Sequence, residues 1–273
     1  MKLSALVCAH NDETRLADCL RRLEFCDEIV VVADRCTDRT QEIARQFGAR
    51  VVDGIFPLEG QRKTAGVAAC LGEWILEIET DEQVSPALAY EVRAAIHGRP
   101  GGDWFDVPVE NFVGERLVRR GWGAGFGEAT AARLYRRRVK RWKARRVEPR
   151  IVLDGRAAGA LESPLRRQAH TDAGDMIAHL NRQTWLRAQD IADAGAPGRM
   201  LDDVLRGLRL FWTCYVWRQG LRDGELGFLV SLMAALDPVL SGLRARELVK
   251  ARAVASANAN VTVTQPTRIG RAG

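Results

Sequence analysis

Apolar and polar positions alternate in blocks over the first ninety-odd residues. Residues 3–9 form an apolar run of strand length, and 12–25 repeat apolar positions at helical spacing, with Leu16, Cys19, Leu20 and Leu23 on one face. Residues 28–33 are a second run, rich in β-branched side chains. Residues 37–47 read as a helix capped by Thr37 or Asp38 and closed by Gly48. A short strand over 50–53, a helix over 61–71 ended by Gly72, a strand over 74–78 and a helix over 86–96 complete the alternation. Strand, helix and strand with short connections predict an α/β fold, a Rossmann-like, mostly parallel sheet with helices on both faces. Such sheets take ligands at the carboxyl ends of their strands, near the point where strand order reverses. The polar groups at those ends are residues 11–13, Asp34 and residues 79–82.

The pattern then changes. A loop at 98–102 leads into strand-like, basic stretches at 104–109, 133–135 and 150–153. From about residue 171 the spacing is helical, over 176–192, 200–218 and 226–252, the last read as one helix or as a pair broken at Pro238. The expected division is an α/β domain over 1–170, with halves at about 1–97 and 98–170, a C-terminal helical extension over 171–252, and a flexible small-residue tail over 253–273.

Composition narrows the classes. Hydrophobic residues make up 47% of 273, enough for a folded core and too many for wholesale disorder. The formal charge of +6 suits nucleic acid, anionic lipid or a phosphorylated substrate and does not choose among them. Six cysteines without paired spacing exclude a zinc knuckle or a disulfide framework. One lysine before the first strand does not make a signal peptide, and the apolar stretch at 226–236 is short of the ~20 residues of a membrane span. A cytoplasmic protein is expected.

Three motifs carry chemistry. Glu77, Glu79, Asp81 and Glu82 follow one another at the end of an apolar strand. Carboxylates two apart in a tight turn supply hard oxygen ligands for Mg²⁺ or Mn²⁺, which would neutralise a diphosphate leaving group; an exposed acidic turn is the plain alternative. Asp34 ends the second strand, where a carboxylate accepts hydrogen bonds from a base or ribose. Gly60, Arg62 and Lys63 open a helix, where backbone amides and cations suit a phosphate; a solvated basic first turn is the other reading.

In this order the motifs resemble family 2 glycosyltransferases of the GT-A fold. The first-strand motif is Asn11, Asp12 and Glu13 after Ala9 and His10; the second keeps Asp34, Thr37 and Asp38; the metal motif is Glu79, Thr80, Asp81 and Glu82. Gly60 to Lys63, the stretch 72–76, residues 81–86, Arg133 to Arg136, Trp142, the stretch 215–220 and residues 223–227 are similar to the lipopolysaccharide-core β-glucosyltransferase subgroup. The resemblance covers the chain to about residue 250. It implies inverting hexose transfer, of glucose from a UDP-sugar donor, to a saccharide or glycolipid acceptor in envelope lipopolysaccharide or polysaccharide biosynthesis. It implies a nucleotide-binding half at about 1–97 and an acceptor half at about 98–170. Ala9, Asn11, Glu13, Asp34, Lys63 and Glu79 would bind the nucleotide, and Asp81 with Glu79 the metal. An inverting transfer also needs one general base for the acceptor hydroxyl. The subgroup's carboxylate position holds Pro149, with Glu148 beside it as the candidate base; Ala33 and Glu79 also replace aspartates of the pattern. These departures motivate an alternative, a catalytically degenerate relative that binds nucleotide or membrane glycolipid without turnover. Nucleotidyl transfer lacks its glycine-rich loop after the first strand.

Residues 133–146 hold nine Lys or Arg and no acid, with Tyr135 and Trp142 interleaved. A solvated face and contact with an anionic membrane are both open, and nucleic acid is not an expected partner. The aromatic stretch at 208–217 is expected to pack the C-terminal helices onto the α/β domain, with membrane contact as a second role. His170 is expected to make a structural hydrogen bond, and His10 to line the nucleotide pocket.

Overall fold

A strand buried on both faces needs apolar side chains at every position, and Leu3–Ala9 (β1) is buried throughout. In the computed structural model, which describes residues 2–98, 101–123, 127–195 and 197–263, β1 pairs in parallel with Glu28–Asp34 (β2) and with Trp74–Glu79 (β4), and β2 pairs in parallel with Arg50–Gly54 (β3). The order β3-β2-β1-β4 reverses direction at β1, so the switch-point crevice opens beyond Ala9, Asp34 and Glu79.

Alternate residues of β1 face two different cores. Leu3, Ala5 and Val7 meet Leu16, Cys19 and Leu20 of Leu16–Arg21 (α1), Ala44 of Thr40–Gln46 (α2), and Leu88 and Val92 of Pro86–His97 (α4). Leu6 and Cys8 face Val67 and Ala69 of Glu59–Ala69 (α3). Gly66 brings α3 onto the sheet, because a Cβ there would overlap Leu6 and Val32. Helices therefore cover both faces, as the sequence pattern requires.

Two N-terminal helices are shorter than their periodicity. Before α1 the chain makes a turn in which Arg15 and Leu16 both donate to the Asp12 carbonyl. Before α2, Asp38 receives the Thr40 amide and also the Glu13 amide, so it ties two loops together rather than simply capping a helix. In α4, Ser85 accepts from the Leu88 amide and Pro86 starts the helix.

The second half of the sheet is mixed. Glu82–Gln83 (β5) follows the acidic turn; Trp104–Val113 (β6), Arg116–Val118 (β7), Thr130–Arg136 (β8), Ala157–Ala160 (β11) and Leu165–His170 (β12) extend the order as β4-β8-β6-β12-β5, with β7 and β11 also on β6. Lys140–Trp142 (β9) and Ile151–Leu153 (β10) form a separate antiparallel pair. Together with the helices that follow, this is the GT-A architecture.

Ala173–Asp193 (α5), Met200–Trp212 (α6) and Gly224–Val263 (α7) form the C-terminal helical region, joined by a π-helical turn at Thr213–Trp217 and a 3₁₀ turn at Gly220–Asp223. Pro238 lies inside α7 without breaking it. A proline costs a helix interior ~3 kcal/mol, and packing against both α5 and α6 outweighs that. The helix continues past residue 252, and 264–273 lie outside the described residues. Among the described residues one helix, Gly220–Ser256, is long and apolar enough to cross a membrane; its most apolar 18-residue window has mean hydropathy 1.8, and half of that window is buried inside the protein. Its buried Val230 and Met233 pack with Met176 and Leu180 of α5 and with Val113, Val118 and Trp122.

Candidate active site

The loops after β1 and β2 are stitched to each other. Asn11, in a left-handed conformation at φ 55°, accepts the Thr37 amide at 2.8 Å. The Asp12 amide donates to the Thr40 hydroxyl at 2.8 Å, and Glu13 accepts the Arg39 amide at 3.1 Å. Asp34 is buried; its carboxylate accepts the Phe56 amide at 2.9 Å and a two-pronged contact from Arg35 at 2.7 and 3.0 Å. The His10 ring meets the Asp34 carbonyl. Ala9, Asn11, Glu13 and Asp34 thus form one cluster at the strand ends. Asn11 and Glu13 spend side-chain oxygens on holding the loops in shape.

Beside this cluster lies a cavity of about 720 Å³, lined among others by Lys63, Glu79, Arg133, Lys140, Glu148 and Arg167. A buried ion network forms its floor. Lys63 bonds Glu77 at 2.8 Å and Glu79 at 2.6 Å. Lys140 bonds Glu77 at 2.7 Å and the Ala132 carbonyl at 2.8 Å, and Tyr135 donates to Glu77 at 3.0 Å. Arg133 reaches Glu82 at 2.6 Å and Glu77 and Glu79 at 3.6 Å, and Arg167 holds Asp81 at 3.0 Å. Four cations face four carboxylates, so the network is nearly neutral by itself.

Burial alone would raise the Glu77 and Glu79 carboxyls. Lys140, Lys63 and Arg133 reverse that for Glu77 and hold it well below the carboxylate range. For Glu79, Lys63 and Arg133 bring it down to about 2. Glu82 has less help: burial pushes it up to about 7 against the pull of Arg133 and Arg167. Its second oxygen accepts the Glu79 amide at 2.9 Å and fixes the acidic turn.

Lys63 does not offer a free charge to a phosphate: it is buried and fully engaged with carboxylates. Its neighbour Arg62 is the better placed cation. It lies within electrostatic reach of Asp34 on one side and Glu79 on the other, and its Nε is buried without a hydrogen-bond partner. The sequence offered both residues; only the rotation of α3 on the sheet distinguishes them.

The metal motif divides. Asp81 Oδ2 is taken by Arg167, but Oδ1 is buried with no partner, so one hard oxygen remains to be satisfied. Glu79 shares Oε1 with Lys63. Among the described residues no three His, Cys, Asp or Glu side chains gather as a complete metal cage. One or two carboxylates completed by substrate phosphates is the usual way Mg²⁺ is held, and these residues fit that mode.

Glu148 and Pro149 both line the cavity. Glu148 has a left-handed backbone at φ 44°, and Arg187 of α5 bonds its carboxylate at 2.6 Å. Arg187 also pairs with the buried Asp237 of α7. Burial raises the Glu148 carboxyl, and Arg187 only partly offsets this. Asp106 and Glu128 line the same cavity and had no sequence signal, since Asp106 lies in β6 and Glu128 just before β8, and only the sheet brings them together.

The basic run at 133–146 is only in part an open basic face. Arg133 and Lys140 point into the network; Arg136 pairs with Glu73, Arg141 with Asp154 at 2.5 Å, and Arg146 with Asp190 at 2.8 Å and Asp193 at 2.6 Å. Acids distant in sequence pair with five of its nine cations, while Arg137, Arg138, Lys143 and Arg145 stay exposed. The aromatic stretch at 208–217 divides: Phe211, Cys214 and Tyr215 pack inward, with Phe211 and Tyr215 against Phe228 of α7, whereas Leu208, Trp212 and Trp217 are exposed. His170 is buried beside Asp175 at 3.4 Å, its ring 5.1 Å from that of His179.

Residues 4–149 match the family described as Glycosyl transferase family 2. The chain is 26% identical over 279 residues to the lipopolysaccharide core biosynthesis glycosyltransferase LpsC of Rhizobium meliloti, a match covering 92% of this chain and 95% of that protein. It is 35% identical over 94 residues to the uncharacterized glycosyltransferase RC0292 of Rickettsia conorii, covering a third of each. Among solved structures, Staphylococcus aureus TarS 1–349 aligns over 93% of this chain and 92% of its own, at 12% identity and TM-score 0.47. Mycobacterium tuberculosis glucosyl-3-phosphoglycerate synthase, in complex with Mn²⁺, UDP and glucosyl-3-phosphoglycerate, aligns over 41% of this chain and 44% of its own, at 21% identity and TM-score 0.33.

Proposed function

The chain belongs to glycosyl transferase family 2, and on that basis we propose that it moves a hexose, glucose, from a UDP donor to a saccharide or glycolipid acceptor of the lipopolysaccharide core, on the cytoplasmic side of the membrane. The observation that supports this reading is that the β1 and β2 loops and the acidic end of β4 stand at neighbouring strand ends of the switch point, with Arg62 within electrostatic reach of both Asp34 and Glu79.

In this reading the donor sits in the half formed by residues 1–97. Ala9, Asn11 and Glu13 shape the floor under the uridine, and Asp34 accepts its hydrogen bonds once Arg35 swings aside. Arg62 faces the diphosphate, with Lys63 keeping Glu79 in place for the ribose. Asp81 and Glu79 would hold Mg²⁺ or Mn²⁺, which when bound supplies positive charge against the departing diphosphate. The acceptor enters the cavity from the 98–170 half. Glu148 takes the proton from its hydroxyl on the face opposite the leaving group, which gives inversion. Partial desolvation at the cavity wall raises the Glu148 carboxyl, which suits it to the task.

The reading is tested by calorimetric titration with UDP, UDP-glucose and GDP-mannose, with and without Mn²⁺, alongside Asp81→Ala. Uridine ligands alone should bind, and Asp81→Ala should abolish metal-dependent transfer while the circular dichroism stays native. Full activity in that variant removes the proposal. A non-catalytic reading draws on Pro149 standing in the cavity wall; donor turnover by the purified protein rules it out.

A further inference from the structure

Helix α6 carries its polarity the wrong way round for a surface helix. Its inward positions are Asp203 and Gly207, followed by Cys214 in the π-helical turn. Asp203 bonds Arg246 of α7 at 2.7 Å, and Gly207 lets α6 close on the Ala235 carbonyl, which a Cβ would strike. Its outward positions include Leu201, Leu205, Leu208 and Trp212, which are 66%, 55%, 62% and 59% exposed. Spacings of four, three and four residues place them in one stripe, about 17 Å long at 1.5 Å per residue. Trp217, 78% exposed, lies beyond its end. The stripe adjoins an aromatic cluster in which Phe211 stacks on Tyr215 at 5.4 Å and half-exposed Phe228 closes edge-on at 5.8 and 5.9 Å.

An amphipathic helix normally turns this face to the core. Here Asp203 and Gly207 make the closest contacts with α7 beside partly buried Val204, Leu210 and Phe211, and the leucine stripe is left facing outward. Exposed arginines border it: Arg199, Arg206, Arg209, Arg218 and Arg222, against Asp202 and Glu225. Arg209, Trp212, Thr213 and Trp217 frame a surface cleft of about 520 Å³. Leucines in one stripe, tryptophans at its end and arginines around it match the zones of a bilayer surface: acyl boundary, interface and anionic headgroups.

We propose that α6 and the π-helical turn after it form a docking surface for an anionic phospholipid membrane, with the leucine stripe immersed and Arg206 and Arg209 on headgroup phosphates. The surface is tied to the catalytic half. Arg218 bonds the Trp122 carbonyl, Gly121 donates to the Arg218 carbonyl at 3.1 Å, and the Arg120 amide donates to Asp223 at 2.7 Å. Gly127 and Glu128, further along the chain, line the cavity wall. The inference stands whether or not the chain transfers glucose.

The test is flotation of the full chain with phosphatidylcholine vesicles and with mixed phosphatidylcholine–phosphatidylglycerol vesicles, at low and high salt. The protein should float with the anionic vesicles, and salt should weaken the association. The triple variant Leu205→Ser, Leu208→Ser, Trp212→Ser should lose about tenfold or more in binding, since affinity scales with immersed apolar area. Its circular dichroism and thermal transition should match those of the parent, which shows that it is folded. Arg206→Gln with Arg209→Gln should lower binding to anionic vesicles only. Flotation with neither vesicle overturns the proposal, as does a triple variant that binds like the parent. So does a sedimentation-equilibrium dimer that the triple variant dissolves in a protein that ignores lipid.

Discussion

Replacing Glu77 by glutamine keeps the shape of the side chain and removes one charge from the centre of the ion network. Glu77 is buried, with Lys63 at 2.8 Å, Lys140 at 2.7 Å and Tyr135 at 3.0 Å. Breaking a buried ion pair from one side costs about 3–5 kcal/mol, because the other charge stays buried. Here Lys63 retains Glu79, and Lys140 retains the Ala132 carbonyl and lies over the Tyr135 and Trp142 rings. The cost should therefore fall at the low end, about 3 kcal/mol, or roughly 6–12 °C in Tm for a chain of this size. Urea unfolding with an unchanged m-value should report the same loss. The pH dependence has a definite sign. The folded Glu77 carboxyl lies below its ordinary 4.5, so its contribution is complete above about pH 4.5 and fades as pH falls toward the folded value. The gap between parent and Glu77→Gln should be widest at neutral pH and shrink in acid. A gap below about 1 kcal/mol, or one that does not change down to about pH 3, refutes the idea that this carboxylate holds the network together.

Other outcomes follow from the site. Glu148→Gln should lower kcat about 10²–10⁴-fold with donor affinity unchanged by calorimetry; unaltered turnover moves the base to Asp106 or Glu128. Arg187→Gln removes the cation that draws the Glu148 carboxyl downward, so the acid limb of kcat/KM should move to higher pH, and a limb that stays in place disconnects Glu148 from catalysis. Arg62→Gln should weaken UDP about tenfold or more while uridine binds as before, because a lost charged hydrogen bond costs about 1.5–3 kcal/mol. Equal loss for both ligands would place Arg62 away from the diphosphate.

Local order was legible wherever it depends on period alone. β1 is apolar at every position because both of its faces are covered, and its bounds, Leu3–Ala9, were readable from the sequence. The acidic end of β4, Asp34 at the end of β2, and the opening of α3 were also visible, since a carboxylate after an apolar run stands out in the sequence itself. Pairings between distant residues were not visible. The sequence offers Arg62 and Lys63 as equals, and the seating of α3 on β1 and β2 buries one against Glu77 and Glu79 and leaves the other with an unsatisfied Nε. The run at 133–146 looks like an open basic face because its partners Glu73, Asp154, Asp190 and Asp193 lie far off in sequence.

The stretch at 208–217 gives the clearest case. Its spacing announces an amphipathic helix, but spacing cannot say which face meets the core. That was decided by Arg246 reaching Asp203 and by Gly207 admitting the α7 backbone. The sequence by itself thus determined the α/β alternation, the strand ends that carry polar groups and the family motifs, because each is a property of neighbours along the chain. The tertiary structure alone decided which charges are spent on one another, which oxygen and nitrogen atoms remain unsatisfied at the site, and which face of α6 looks outward. Those depend on contacts between residues dozens of positions apart, and no local period encodes them.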